Sequence, residues 1–159
     1  MEIRFQIVDD KLSAGLQRAV AASVDFSPAM QAIADLMELE ARRRFETGTD
    51  PEGKAWLPSK RVRDGGGQTL ILSGNLLSSL TRFFDSLSAE AGTNVVYAAI
   101  HQNGGRIVAK TAAALRTPFG PRKSISMPRR SFLGFGANEQ ARIPAILADH
   151  LRDAFEGRP

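Results

Sequence analysis

The residues best suited to acid–base chemistry in this chain of 159 residues are its two histidines, His101 and His150. A histidine works as a general base when a carboxylate or a carbonyl group orients its ring. The acids nearest to His101 in the sequence are Glu90 and Glu139, so a catalytic triad would need an acid that folding brings in from a distance. His150 lies in an apolar helical pattern, where a partly buried structural histidine is expected. We therefore predict no catalytic residue, and a hydrolase that uses His101 stays open as an alternative.

The sequence also lacks the common motifs for metals and nucleotides. It contains no cysteine, no His-Glu-x-x-His and no Gly-x-Ser-x-Gly. The glycines at 65–67 are not followed by the Gly-Lys-Ser/Thr of a phosphate loop. Gly134-Phe135-Gly136 has Glu139 where a dinucleotide loop needs its third glycine. The prediction is therefore no metal site and no cofactor.

The strongest chemical signal is a run of unbalanced positive charge. The chain has a net charge of +4, and no Asp or Glu occurs between Ala91 and Asn138. The basic residues in that interval are Arg106, Lys110, Arg116, Arg122, Lys123, Arg129 and Arg130. We call residues 106–130 the basic arm and expect it to be extended or mobile, with a strong local positive potential. Such a segment suits a solvated loop, a surface that docks onto an acidic protein, or a nucleic-acid contact, although only Phe119 and Phe132 could stack on bases.

A distinctive motif precedes the arm. Residues 92–105 pass from an apolar run to His101-Gln102 and then to Gly104-Gly105, where a sharp turn needs the positive φ that glycine tolerates. We expect the imidazole and amide groups of His101 and Gln102 to hydrogen-bond to the backbone at this turn. The motif would then be a folding or interface element.

Two further sites are expected to tie loops onto the core. Trp56, the only tryptophan, lies between Pro51 and Pro58, and a lone tryptophan in such a loop most often plugs onto the core. Phe132 and Leu133 come at the end of residues 127–134, and this apolar pair suits the anchoring of a returning strand.

The elements that must position these residues follow from hydrophobic periodicity and from the placement of Gly and Pro. The predicted helices are one that starts at Asp9 or Asp10, one with Ser27 as its N-cap, a brief one at 75–80, a helical turn from Tyr97 to Gln102, and a C-terminal amphipathic helix with Pro144 in its first turn. The predicted strands are 3–7, 88–92, 106–108 and 131–135. Residues 60–67 are expected to be mobile, and residues 110–126 are expected to contain no regular element. Arg42, Arg43 and Arg44 are expected to oppose the dipole at the end of the second helix.

These elements predict an α+β fold: an N-terminal strand and helices, short antiparallel β-strands with a long basic loop, and a C-terminal amphipathic helix. At this length we expect one domain over residues 1–159. No apolar run reaches the roughly eighteen residues of a membrane span. We also expect no secretory signal, and a reducing compartment fits the lack of cysteine.

The sequence resembles the phage virion morphogenesis, or tail completion, proteins of Mu-like and P2-like bacteriophages and prophages. Four blocks carry the resemblance in the right order. They are Phe45 through Pro58, Leu70-x-x-Ser-Gly-x-Leu76, Gly92-Thr-Asn through Gly104-Gly105, and Pro128 through Gly134. In the last block, Arg129 and Ser131 stand where the family pattern often has Ala and Pro.

The resemblance implies a non-enzymatic structural protein that completes the tail or neck so that head and tail can join, as a ring with the sixfold symmetry of the tail. Its partners would be copies of itself and other tail or neck proteins, with DNA contact open, in the host cytoplasm during assembly and in the virion afterwards. Ring formation uses heterologous interfaces, and the basic arm would supply one patch. The alternative from another class is a small basic nucleic-acid-binding protein.

Overall fold

The structure, a computed structural model, describes residues 10–109, 114–117 and 120–158. Within these residues the helices are α1 (Asp10–Ala22), α2 (Ser27–Thr47), α3 (Lys60–Gly65), α4 (Asn75–Ser78), α5 (Ala98–Asn103) and α6 (Ala137–Glu156). The strands are β1 (Thr81–Phe84), β2 (Ala89–Gly92), β3 (Gly105–Val108) and β4 (Ser124–Met127). The predicted α+β class is confirmed, and the predicted N-terminal strand 3–7 lies outside the described residues.

The first and last helices pack against each other in opposite directions. Gly15 of α1 lets Phe155 approach so closely that a Cβ at this position would lie 2.7 Å from the phenylalanine ring. One turn further on, the Arg18 guanidinium donates to the carbonyl groups of Ala154 and Phe155 at the end of α6. At the other end of the pair, the His150 ring lies 3.2 Å from Ala22 O, so this histidine is structural, as expected.

Helix α2 is the centre of the fold and contacts α6, β1 and β2. Its buried apolar residues are Ala29, Ile33, Ala34, Leu36, Ala41 and Phe45. Asp25 accepts a hydrogen bond from Ser27 N at the start of the helix, so Ser27 is its first residue and not the predicted N-cap. At the other end Gly48 adopts a φ of 67° and donates its N–H to Arg44 O, which ends the helix.

The four sequence blocks that carry the family resemblance meet in one core. Phe45 packs edge-on against Trp56, with ring centroids 5.7 Å apart, and lies 5.1 Å from the ring of Phe132. Leu76 and Ala98 complete the contact from the two middle blocks. Trp56 is only 6% exposed and donates from Nε1 to the carbonyl oxygen of Ser131 at 3.1 Å. The prediction that Trp56 plugs a loop onto the core is confirmed.

The strands form two separate antiparallel pairs. In the first, β1 runs against β2 from Thr81 opposite Gly92 to Phe84 opposite Ala89. In the second, β3 runs against β4 from Gly105 opposite Met127 to Val108 opposite Ser124. The predicted strands at 88–92 and 106–108 are confirmed as β2 and β3, whereas β1 and β4 were not predicted.

Residues 60–65 form a helix that the sequence did not predict, and Ser59 Oγ caps it by accepting from Val62 N. Three local predictions are wrong. The end of the supposedly irregular stretch 110–126 belongs to β4. Residues 131–135 form no strand. Pro144 lies inside α6, well beyond its first turn.

None of the helices in the described part of the chain is long and apolar enough to cross a membrane.

Candidate functional site

The side chain of Gln102 joins α5 to the segment that follows the basic arm. Its Oε1 accepts hydrogen bonds from Phe132 N and Leu133 N, both at 3.0 Å, and its Nε2 donates to Leu133 O at 2.7 Å. The backbone adds a bond from Arg130 N to His101 O at 2.8 Å. One amide therefore satisfies the backbone groups that a neighbouring strand would otherwise satisfy. Gln102 does bind backbone, as expected, but at Phe132 and Leu133 and not at the glycine turn.

The turn after α5 depends on Gly104 and Gly105. Their φ angles are 68° and 137°, in the region that favours glycine. A Cβ on Gly104 would lie 2.8 Å from Arg129 N, so the two ends of the basic arm approach backbone to backbone. The sharp turn that the sequence predicted thus also lets the arm start and finish at one place.

A buried ion pair fixes the same region from the other side. Arg44 in α2 pairs with Glu139 in α6, and their side chains are only 7% and 2% exposed. Arg44 Nη1 also donates to Phe132 O and Gly134 O at 3.1 and 3.0 Å, and Glu139 Oε2 accepts from Gly136 N. Arg44 does lie in the last turn of α2, as predicted, whereas Arg42 and Arg43 precede that turn. The burial of the Arg44 guanidinium in an ion pair was not predicted. The signal that could have found the pair is Glu139 three residues after Gly136, the spacing of a capping box.

Gly134 and Gly136 allow Pro51 to pack directly against the backbone of the segment that precedes α6. A Cβ on Gly134 would lie 2.8 Å from Pro51 Cγ, and one on Gly136 would collide with Pro51 O. The Asp-Pro-x-Gly turn of the first sequence block therefore lies directly on the last block.

The hairpin of β3 and β4 forms the root of the basic arm. The exposed cations of the arm among the described residues are Arg106, Arg116, Arg122, Lys123 and Arg129. Arg106 donates to Ser124 Oγ at 2.8 Å. Within the described residues none of these five side chains forms a salt bridge, whereas Lys110 lies outside those residues. The described part of the arm therefore presents a cationic surface, and no salt bridge among the described residues neutralises it.

Arg130 differs from the other cations of the arm because it is only 4% exposed. Its Nε donates to Leu57 O at 2.8 Å, and burial lowers the pKa of its guanidinium. The neighbouring His101 has its pKa lowered by burial and, secondly, by the positive charge of Arg130. His101 Nδ1 is buried and has no hydrogen-bond partner among the described residues, while the edge of its ring faces Tyr97, 6.1 Å between centroids. His101 therefore lies beside a cation, and within the described residues it has no ion pair with the carboxylate that a catalytic triad requires.

A large cleft opens beside this histidine, and we call it the β4 cleft. It has a volume of about 1190 Å³ and lies between α3, residues 70–76 and strand β4. Its apolar lining includes Leu57, Leu70, Leu72, Leu76, Ile125 and Met127. Its cations are Lys60, Arg61, Arg63, Arg122 and Arg130, and its one carboxylate among the described lining residues, Asp64, is paired with Lys60 at 2.5 Å. The sequence did not reveal this cleft, because its walls come from segments far apart in the chain.

The predicted motif residues, together with Arg122 and Arg130, thus separate into two groups. Trp56, Gln102, Gly104, Gly105, Phe132 and Leu133 hold the core and the root of the arm together. Tyr97, His101 and Arg130 line the β4 cleft, with Arg122 at its edge. In the described part of the chain, no cluster of three His, Asp or Glu side chains could hold a metal ion.

Comparison with known proteins places the chain in a family. The sequence model of the phage virion morphogenesis family matches residues 7–152. The Mu-like prophage FluMu G protein 2 of Haemophilus influenzae strain Rd is 30% identical over 142 residues, which are 89% of this chain and 90% of that protein. No solved structure is significantly similar to the chain. The matched region includes all four blocks that meet around Phe45 and Trp56, and this chain belongs to the phage virion morphogenesis family.

Proposed function

We propose that this protein is a non-enzymatic structural component that completes the tail or neck of a tailed phage and helps to join head to tail as one subunit of a ring. It would act in the host cytoplasm during assembly and remain in the tail or neck of the virion. The observation that carries this proposal is the cationic surface of the basic arm, which no salt bridge among the described residues neutralises, in a protein of a morphogenesis family.

The molecule offers two unlike surfaces, as a heterologous ring contact needs. One is the cationic root of the basic arm, with Arg106, Lys123 and Arg129 exposed. The other is apolar and lies on and after α1, where Leu16 is 53%, Val20 65% and Val24 76% exposed. A contiguous exposed apolar surface is typical of a protein interface. The arm would contact a neighbouring subunit or another tail protein that presents acidic side chains.

The surroundings of His101 support a non-enzymatic role. A general base gains basicity from a nearby carboxylate, whereas Arg130 and burial both lower the pKa of this histidine. The His101 ring packs edge-on against Tyr97 in the wall of the cleft.

The test reverses charge on the arm in the phage itself. Lys123→Glu with Arg129→Glu, expressed in place of the wild-type gene, should leave the protein folded and prevent formation of joined particles, as counted by electron microscopy of lysates. Lys54→Glu with Arg142→Glu is the matched control, because it makes the same change in net charge at two exposed positions outside the arm. Normal particle numbers from the arm variant, or equal loss from the control, would contradict the proposal.

The cationic arm also suits the second candidate function, a small basic nucleic-acid-binding protein. That function predicts binding of the purified protein to duplex DNA, with an affinity that falls steeply as salt rises because several phosphates are neutralised. Such binding by a protein that is absent from purified virions would favour this second candidate.

A further inference from the structure

We propose that the β4 cleft receives an extended acidic segment of a partner protein, which adds to the outer edge of β4 as a third strand. The inference rests on the proposed structural role, since it names the kind of partner that the protein would hold during assembly. It concerns a surface separate from the exposed cations Lys123 and Arg129, which do not line the cleft.

Among the described residues, no second strand pairs with the outer edge of β4. Ala109 N donates to Lys123 O, so these two opposite residues form a hydrogen-bonded pair. Hydrogen-bonded pairs alternate with non-bonded pairs along an antiparallel ladder. The backbone N–H and C=O groups of Ile107 and Ile125, two positions further along, therefore also point at each other's strand. The N–H and C=O groups of Ser124 and Ser126 therefore point away from β3. No described residue outside β3 forms a backbone hydrogen bond with β4. An unpaired strand edge of this kind is a template for another extended chain.

This edge borders the cleft. All four residues of β4, Ser124–Met127, line it. Consecutive side chains of a strand point to opposite faces, so a cavity lined by four consecutive residues runs along the edge of the strand. An added strand would therefore lie inside the cleft, between β4 and α3.

The walls of the cleft favour a peptide with alternating apolar and acidic side chains. Leu57 and Leu72 on the rim are 60% and 80% exposed, and apolar side chains of the occupant would cover them. After the pairing of Lys60 with Asp64, the lining retains Arg61, Arg63, Arg122 and Arg130 without a carboxylate among the described residues. Charge complementarity therefore selects an acidic occupant.

The same lining favours a peptide over a nucleic acid. Single-stranded nucleic acid is held by several aromatic platforms along a basic groove. Among the described lining residues the aromatic rings are those of Tyr97 and His101, and these two pack against each other. The walls instead provide leucine, isoleucine and methionine next to backbone donors and acceptors, which is the chemistry of strand addition.

The first experiment measures binding of short fluorescein-labelled peptides to the purified chain by fluorescence anisotropy. A peptide that alternates valine and glutamate should bind, and a matched peptide with lysine in place of glutamate should bind at least about tenfold more weakly. A third peptide, N-methylated at every residue, loses the N–H groups along both edges and should bind as weakly as the lysine peptide. An oligothymidylate should compete poorly.

Two variants locate the binding. Ser126→Pro removes the backbone N–H that points away from β3 and should abolish binding. The hydrogen bonds between β3 and β4 should stay intact, because proline is tolerated on an edge strand. Ser126→Thr keeps that N–H and should bind like the wild type. Arg63→Glu with Arg122→Glu should invert the preference towards the lysine peptide, whereas Lys54→Glu with Arg142→Glu should not change it. Circular dichroism melts of each variant confirm that it is folded.

The outcomes separate this inference from the proposed function. Failure of the glutamate peptide to bind at about 1 mM, equal binding of the lysine peptide, or tighter binding of the oligothymidylate overturns the strand-addition proposal, even if the phage still needs the arm for assembly. Conversely, a protein that binds the glutamate peptide through Ser126 but is absent from virions supports the cleft and contradicts the role in the tail or neck.

Discussion

Arg44 and Glu139 lie 95 residues apart in the sequence and form an ion pair from which solvent is almost excluded. The pair joins α2 to α6, and the same arginine holds the carbonyl groups of Phe132 and Gly134. The segment that follows the basic arm is therefore fixed to both long helices at once.

Breaking this pair should be strongly destabilising. Glu139→Ala leaves a buried guanidinium without a counter-charge and should lower the free energy of unfolding by about 3–5 kcal/mol. Asp149→Ala is the control, since Asp149 pairs with Arg152 where both side chains are more than half exposed, and exposed pairs contribute only about 0–1 kcal/mol. Urea denaturation measures both, and equal losses would mean that burial does not set the contribution of the Arg44 pair.

Removing the Gln102 amide should weaken the root of the arm. Gln102→Ala leaves Phe132 N and Leu133 N without their partner, and unsatisfied buried donors should cost about 2–3 kcal/mol in total. Gln31→Ala, on the exposed face of α2, should change the free energy of unfolding by less than about 0.5 kcal/mol. A thermal melt of Gln102→Ala that matches the wild type would show that water replaces the amide without loss.

Alanine substitutions at Gly104 and Gly53 distinguish the energetic cost of backbone strain from the cost of a steric collision. Both have positive φ, but a Cβ on Gly53 meets nothing within 4 Å, whereas one on Gly104 meets the backbone of Arg129. Gly53→Ala should cost about 1–2 kcal/mol from strain alone. Gly104→Ala should cost about 1–3 kcal/mol more, because backbone atoms must move. Chemical denaturation measures the free energy of unfolding of both variants. Equal losses in the two variants would contradict the prediction.

The lowered pKa of His101 should make stability depend on pH. The ordinary histidine value is 6.5, and in the folded protein burial and Arg130 keep the ring neutral to lower pH. Below the unfolded pKa, the unfolded chain binds a proton that the folded chain does not, so this contribution is complete above about pH 6.5 and is lost as pH falls towards the folded pKa. The urea midpoint should therefore drop between about pH 7.5 and about pH 5, and drop less in His101→Asn. An identical drop in both proteins would assign the pH dependence to other groups.

The long periodic segments were predictable, and the segments that depend on distant side chains were not. Residues 131–135 have the composition of a strand, but Gln102 supplies their hydrogen bonds, and nothing local in the sequence announces that contact. Pro144 suggested a helix start, yet α6 begins at Ala137, because Glu139 binds Gly136 N and Arg44 and so fixes an earlier turn. Proline within the helix then leaves one carbonyl, that of Gln140, without its usual donor.

The candidate site shows the same division. The cationic character of the arm followed directly from the stretch without acids, and five of its cations are exposed among the described residues. The burial of Arg130 did not follow, because its partner Leu57 O comes from a loop 73 residues earlier. The β4 cleft could not be predicted either, since α3 in its wall depends on a Ser59 cap within a glycine-rich segment.

The joined ends of the basic arm have a consequence for its length. His101 O and Arg130 N already hold the two ends together, so residues inserted between Val108 and Ser124 lengthen a loop whose closure is fixed at its base. The entropy of such a loop grows slowly, by about 0.6 kcal/mol for each doubling of its length. This stretch is therefore a natural position at which relatives can differ in reach, and at which an epitope for imaging can be grafted without disturbing Phe45, Trp56 and Phe132.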